Sequence, residues 1–300
     1  MKAVNLLDQN LEINRRYGTP TPLTSMVKPI PANYDWIVEG LLRPGQMMEI
    51  IGRSKAGKSL FALQMCISIC NEMDFLGLAC RNAGRILYCN LEITAEDMFS
   101  REIDELTELG LTHETVQDLL IWNLRGADID IDQFIDDLAV KVRTSEVGVI
   151  VLDPVYILFK DVDENDNSGI TTRFTKLQKL MREAGCALVI VHHESDKKGV
   201  SQPIGASAFV RMYDTMLAVD RVKVPGILPQ RYIAGTSSYK ISMNFRHSSE
   251  RDPIGAWRNG TTFFNDQTGV LAYCENDLTG NDLDKDARKK IIDEKIAQLK

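Results

Sequence analysis

Met47-Met48-Glu49-Ile50-Ile51-Gly52-Arg53-Ser54-Lys55-Ala56-Gly57-Lys58-Ser59-Leu60-Phe61-Ala62-Leu63-Gln64-Met65 is the stretch on which the fold turns. It opens on a strand-sized apolar run and closes on a helical one, and Gly52 to Ser59 between them fits G-x-x-x-x-G-K-[ST]. The spacing has a physical logic. Glycines let the backbone curl until successive N–H groups converge on phosphate oxygens, and the helix that follows offers its positive end. Lys58 is placed to reach the β- and γ-phosphates, and the Ser59 hydroxyl to ligate Mg²⁺. A strand before and a helix after are the context the pattern requires. Gly52, Arg53, Ser54, Lys55, Ala56, Gly57, Lys58, Ser59 and Leu60 are therefore expected to bind a nucleoside triphosphate with its metal.

Outward from this loop, short apolar runs alternate with amphipathic segments. Strands are expected at Met47–Ile51, Ile86–Leu91, Val149–Leu152, Ala187–Val191, Met216–Asp220 and Tyr239–Asn244. Helices are expected at Ser59–Met73, Ala95–Leu109, Ile131–Arg143 and Gly169–Ala184. That alternation predicts an α/β fold with a mostly parallel sheet between helix layers. The last two strands follow one another through turns and are expected as antiparallel edge additions. Residues 1–33 read as an N-terminal arm, in which Leu6 to Arg16 can form a short helix before Pro20, Pro22, Pro29 and Pro31 disfavour one. Residues 34–275 read as the main domain, and 276–300 as a helical tail with Ile291, Ile292, Ile296 and Leu299 near one face.

Composition sets outer limits. The 300 residues are 44% apolar and 26% charged, which excludes collagen-like, coiled-coil and disordered chains. No run approaches the ~20 apolar residues of a membrane-spanning helix. Asp8, Glu12, Arg15 and Arg16 break up any signal-peptide pattern, so a cytoplasmic location is expected. A net charge of −7 argues against coating nucleic acid by bulk attraction, though not against a local basic channel. The six cysteines lack C-x-x-C spacing and read as buried thiols in a reducing compartment.

Two further strand ends carry acids. Gly148-Val149-Ile150-Val151-Leu152-Asp153 offers Asp153 to the Mg²⁺ shell. Asp153 is followed by Pro154, not a second carboxylate, so a catalytic base must come from elsewhere. Ile86-Leu87-Tyr88-Cys89-Asn90-Leu91-Glu92 supplies Glu92, which would share the same crevice and polarise the attacking water. Its rival reading is an N-terminal acid of the next helix.

Asp35 to Leu42, the phosphate loop, Glu92, Leu152-Asp153-Pro154 and Val191-His192-His193, in that order over residues 34–260, resemble the RecA/DnaB-like ATPases. The resemblance is strongest to RepA-type hexameric helicases of plasmids and phages. It implies a RecA-like core that hydrolyses ATP with Mg²⁺, assembles as a homo-oligomeric, hexameric ring, moves along single-stranded DNA and meets replication-initiation partners. It makes His193 the sensor of the γ-phosphate. The loop after it, Gly199 to Phe209, becomes a pore loop with Lys197, Lys198 and Arg211 supplying charge to DNA phosphates. Arg101 matches the family's arginine against the adenine, a plain solvated helix arginine being the alternative. A cation from the adjacent protomer completes the family's site. Its first expected position falls on Ile204, a departure, and Arg246 on the late strand becomes the candidate, with Lys240 second.

Other signals in the sequence are weaker. Zinc at the His doublet is disfavoured because adjacent strand residues face opposite ways. Asp161 to Asp166 fails as a calcium loop, with Asp166 where glycine is needed and Thr172 where glutamate is needed. The charges of the terminal helix are balanced, as on a solvated face. Three alternatives stay open: a recombinase- or regulator-type ATPase without unwinding, a small-molecule phosphate-loop kinase, and a nucleotide-gated binding protein with vestigial hydrolysis.

Overall fold

In the computed structural model, residues 11–15, 19, 35–159, 167–193, 212–246, 249–275 and 285–299 are described, with backbone alone for 167, 168, 193, 285 and 286. The chain divides into a unit at Met1–Asp35, in which residues 11–15 are helical, and a unit at Trp36–Lys300. The second unit is built on one nine-stranded sheet in the order β3-β2-β4-β5-β1-β6-β7-β8-β9. Its strands are β1 (Met47–Gly52), β2 (Arg85–Asn90), β3 (Leu119–Asn123), β4 (Val147–Asp153), β5 (Ala187–His193), β6 (Thr215–Arg221), β7 (Ser237–Phe245), β8 (Ile254–Asn259) and β9 (Thr262–Asn265). The helices are α1 (Lys58–Cys70), α2 (Ala95–Leu109), α3 (Ile131–Thr144), α4 (Asn167–Ala184) and α5 (Lys285–Gln298). This is the α/β fold with a mostly parallel sheet that the alternating pattern predicts, and it is the RecA-like phosphate-loop fold that the resemblance implies.

The side-chain period of two sends alternate strand residues to opposite faces. Met48 and Ile50, Ile86 and Tyr88, Val149 and Val151, and Val189 and Val191 join α1 and α2 in one core. Met47, Leu87, Cys89, Ile150, Leu152, Leu188 and Ile190 join α3 and α4 in the other. A strand buried on both faces reads as an unbroken apolar run, which is why β1, β4 and β5 stand out in the sequence.

The parallel region extends one strand further than expected. β6 lies parallel to β1, with Met48 opposite Thr215 and Ile51 opposite Ala218. Leu217 and Val219 are fully buried, as befits a central strand. Antiparallel pairing begins only at β7 and continues through β8 and β9. Three strands were absent from the expected set: β3, β8 and β9.

Helix ends follow their caps. Thr94 accepts the Asp97 N–H to open α2, and Gly110 closes it in the left-handed conformation. Asp130 accepts the Gln133 N–H to open α3. α1 stops at Cys70, short of the expected Met73, because the Asn71 amide donates to the Ile67 carbonyl and Glu72 takes a positive φ. α5 buries Ile296 in a small core with Val222, Leu228, Trp257, Val270, Leu271 and Cys274, and so packs on the antiparallel end of the sheet.

Candidate functional site

The phosphate loop leaves the carboxyl end of β1. A Cβ on Gly52 would stand 2.6 Å from the Val219 carbonyl oxygen, and one on Gly57, at φ 91°, 2.7 Å from Arg258 Nη1. Only glycine fits either place. Lys58 is buried, and its Nζ donates to the carbonyls of Gly52 and Arg53 at 2.8 Å each, so the ammonium is held inside the curl of the loop.

β2 and β4 are neighbours, and their ends bring the acids to this loop. The Ser59 hydroxyl donates to Asp153 Oδ1 at 3.1 Å, and the Tyr88 hydroxyl donates to Asp153 Oδ2. Burial raises the proton affinity of Asp153; the hydrogen bonds from Tyr88 and Ser59 lower it, Glu92 raises it and Arg101 lowers it, leaving it above the ordinary value. Burial likewise pushes the Tyr88 phenol well up, so it stays a donor. A carboxylate whose charge is opposed by burial gains from a cation beside it. Ser59 and Asp153 are hard oxygen donors on adjoining positions, which suits Mg²⁺.

Glu92 is exposed, two residues beyond the end of β2. The cap of α2 is Thr94, so the helix-acid reading of Glu92 is not what the structure builds. The turn carrying Glu92 is tied by Asn90, which is buried. Its amide donates to the Ile93 carbonyl at 2.9 Å and to Asn123 Oδ1 at 2.8 Å, and its own oxygen accepts the Ile93 N–H.

Ser54, Lys55, Gly57, Lys58, Ser59, Leu60, Asn90, Glu92, Ile93, Arg101, Asp153 and Arg258 line one cleft of about 370 Å³. Of the residues expected from sequence, the structure thus gathers the loop, Glu92, Arg101 and Asp153 together, with Gly52, Arg53 and Ala56 forming the back of the loop. His193 lies on β5 with its backbone in register with Gly52. Its neighbour His192 is buried and sets Nδ1 2.9 Å from Oε1 of the equally buried Glu49 on β1. Lys197, Lys198 and Arg211 lie outside the described residues, as does the 199–209 loop.

Arg246 is exposed just past β7, where Phe245 pairs with Thr215 and Thr215 with Met48. That is the amino end of the parallel strands, away from the phosphate loop of its own protomer. Lys240, the second-choice cation, is buried and donates to the Cys274 carbonyl at 3.4 Å; it is no surface group. Sequence reasoning missed Tyr88, Asn90 and Arg258. A lone tyrosine and asparagine in an apolar strand are a usable signal; Arg258 comes from a strand that was not read at all.

The model of a family described as an AAA domain, AAA_25, matches residues 14–199. The chain belongs to the AAA_25 family. No curated protein matches the chain. The AAA_25 family is one of phosphate-loop ATPases of RecA-like type, which fits the cleft described above. The matched stretch holds the loop, Glu92, Asp153 and the His doublet, whereas Arg258 and the antiparallel strands lie beyond it.

Proposed function

We propose that this AAA_25 member is a ring-forming motor that hydrolyses ATP between subunits and moves along single-stranded DNA, of the kind found in RepA-type replicative helicases. One observation carries the reading: an exposed carboxylate, Glu92, shares a cleft with the phosphate loop and with a second, buried carboxylate, Asp153, from a neighbouring strand. One acid suits metal holding, the other water activation.

In this cycle Lys58 and the loop N–H groups hold the β- and γ-phosphates; Ser59 and Asp153 would hold Mg²⁺, which would offset charge on the phosphates. Water attacks the γ-phosphorus, the bond to the bridging oxygen breaks, and Glu92 takes the water's proton, leaving ADP and phosphate. Arg101 lies against the adenine. His193 reports loss of the phosphate to the loop that follows, where Lys197, Lys198 and Arg211 meet DNA phosphates. Arg246, away from its own cleft, serves the site of the adjacent protomer.

The test is the rate of ATP hydrolysis with and without single-stranded DNA, alongside the solution mass with and without ATP. Stimulation by DNA and assembly to multiples of 33.7 kDa are expected. Glu92→Gln should bind ATP and lose turnover. A monomer with DNA-indifferent hydrolysis overturns the motor. Assembly and DNA stimulation without opening of a tailed duplex would assign the chain to the recombinase- or regulator-type ATPases instead.

A further inference from the structure

Arg258 has no part in the mechanism above, yet its surroundings single it out. It is carried by β8, three strands beyond β1 on the antiparallel side of the sheet, and still lines the cleft with Lys58 and Ser59. Its Nη1 rests against Gly57, the residue before Lys58. Its guanidinium lies 5.6 Å from the Tyr239 ring and 5.9 Å from the Phe263 ring, contacts that aim it without neutralising it. The side chain is half-buried, its Nε is buried without a hydrogen-bond partner, and among the described residues it enters no ion pair. A permanently charged guanidinium that is partly withdrawn from water, with Nε buried and unpartnered and no counter-charge beside it among the described residues, gains from an anion that completes it.

Its position is also fixed. Arg258 pairs with Phe263 on β9. Phe263 in turn exchanges two hydrogen bonds of 2.8 Å with the Gln64 amide on α1: Gln64 Nε2 donates to the Phe263 carbonyl, and the Phe263 N–H donates to Gln64 Oε1. Glu108 of α2 accepts the Thr262 N–H at 3.1 Å. The hairpin that presents Arg258 is therefore locked to the helix leaving the phosphate loop and to the helix carrying Arg101. A donor held in place before binding loses little entropy on binding.

We propose that Arg258 is a nucleotide-binding residue supplied in cis: its guanidinium takes phosphate oxygens of the bound nucleotide beside Gly57, so the antiparallel end of the sheet forms a wall of the same protomer's site. The proposal rests on the nucleotide reading of the cleft and adds a binding group to it.

The experiment titrates the full chain at fixed salt with MgATP, MgADP and adenosine, comparing the natural protein with Arg258→Met, Arg258→Lys and Lys58→Ala. Methionine keeps the apolar stem over Tyr239 and Phe263 and removes the charge; lysine keeps the charge and loses the fork. Arg258→Met should weaken ATP and ADP about 10- to 100-fold, the range for charge-assisted hydrogen bonds, and leave adenosine unchanged. Arg258→Lys should fall between, and it decides the matter if the methionine variant melts early. Natural ATP affinity in Arg258→Met or Arg258→Lys, while Lys58→Ala loses binding, overturns the proposal alone. An equal loss of adenosine overturns it too, since the charge would then not be acting on phosphates. Failure of the natural protein to bind ATP removes the nucleotide reading itself.

Discussion

Asp153 sits between two hydroxyls, and the roles of the two differ. Ser59 is the loop's own residue, whereas Tyr88 belongs to β2 and reaches across to the second carboxylate oxygen. Burial raises the proton affinity of Asp153, and the Tyr88 hydrogen bond is the strongest influence holding it down. Tyr88→Phe removes that donor, so Asp153 should keep its proton to higher pH. The acid limb of Mg²⁺-dependent ATP binding is therefore expected to move to higher pH, with a loss of ~1–3 kcal/mol in stability from the unpaired oxygen. Nucleotide titrations from pH 5 to 8 check this; an unmoved limb refutes it. Lys58 and Ser59 were legible because the chemistry fixes their spacing within a few residues. Tyr88 was not, because its partner is 65 residues away and only the pairing of β2 with β4 brings them together.

Glu105 makes a second argument at this scale. It is fully buried on α2, neither carboxyl oxygen has a hydrogen-bond partner, and burial, then Glu108, lifts its pKa from 4.5 to about 9. The folded chain thus holds a proton that the unfolded chain releases above pH 4.5. Stability from this group is full below that value and falls as pH rises towards 9. Glu105→Met should flatten the decline and raise stability at pH 8 by ~1–3 kcal/mol, the cost of an unpartnered buried polar group. Urea unfolding of both proteins at pH 5 and pH 8 measures it; a decline of equal steepness in the variant would rule the explanation out.

At the scale of elements, α1 and β9 are joined in an uncommon way: the Gln64 amide stands in for the next strand and satisfies both backbone groups of Phe263. Gln64→Ala strands both groups in a buried place and should cost ~2–4 kcal/mol, two lost hydrogen bonds with desolvated partners. ATP affinity should fall with it, because Arg258 is paired with Phe263. Denaturant midpoints and ATP titration report the two effects, and loss of stability with full affinity would separate the hairpin from the site. Elements with long apolar runs or clear caps were readable: α2 falls at Ala95–Leu109 as expected, between Thr94 and Gly110. β8 and β9 were not, since they are short and carry Gly255 and Arg258 among their residues. Asn259-Gly260, where β8 turns into β9, is a hairpin signal that could have exposed them.

For the whole molecule, the two large cores and the smaller one beneath α5 explain why the thiols are inert though numerous. Cys66, Cys80, Cys89, Cys186 and Cys274 are buried, and desolvation raises Cys70, Cys80 and Cys274 to about 12 and Cys186 to about 11. Alkylation at pH 8 should therefore label the native protein slowly at every cysteine, and all six at once in denaturant. A rapidly labelled native thiol, located by mass spectrometry, would contradict the packing. Fold class was legible at this scale because strand and helix periods alternate along the chain. That β9 meets α1 and α2 was not, because it follows from Gln64 and Glu108 bonding a strand distant in sequence.

The hook between Gln64 and Phe263 has a bearing on how relatives are compared. A shortened cousin ending soon after the doubled histidine would keep every recognisable signature and score as intact, yet it would lack Arg258 and the β8–β9 hairpin that presents it. Catalogues of such enzymes built on signatures alone will mix complete nucleotide pockets with roofless ones, and the amide at the seventh position after Gly57 is the place to look for the difference.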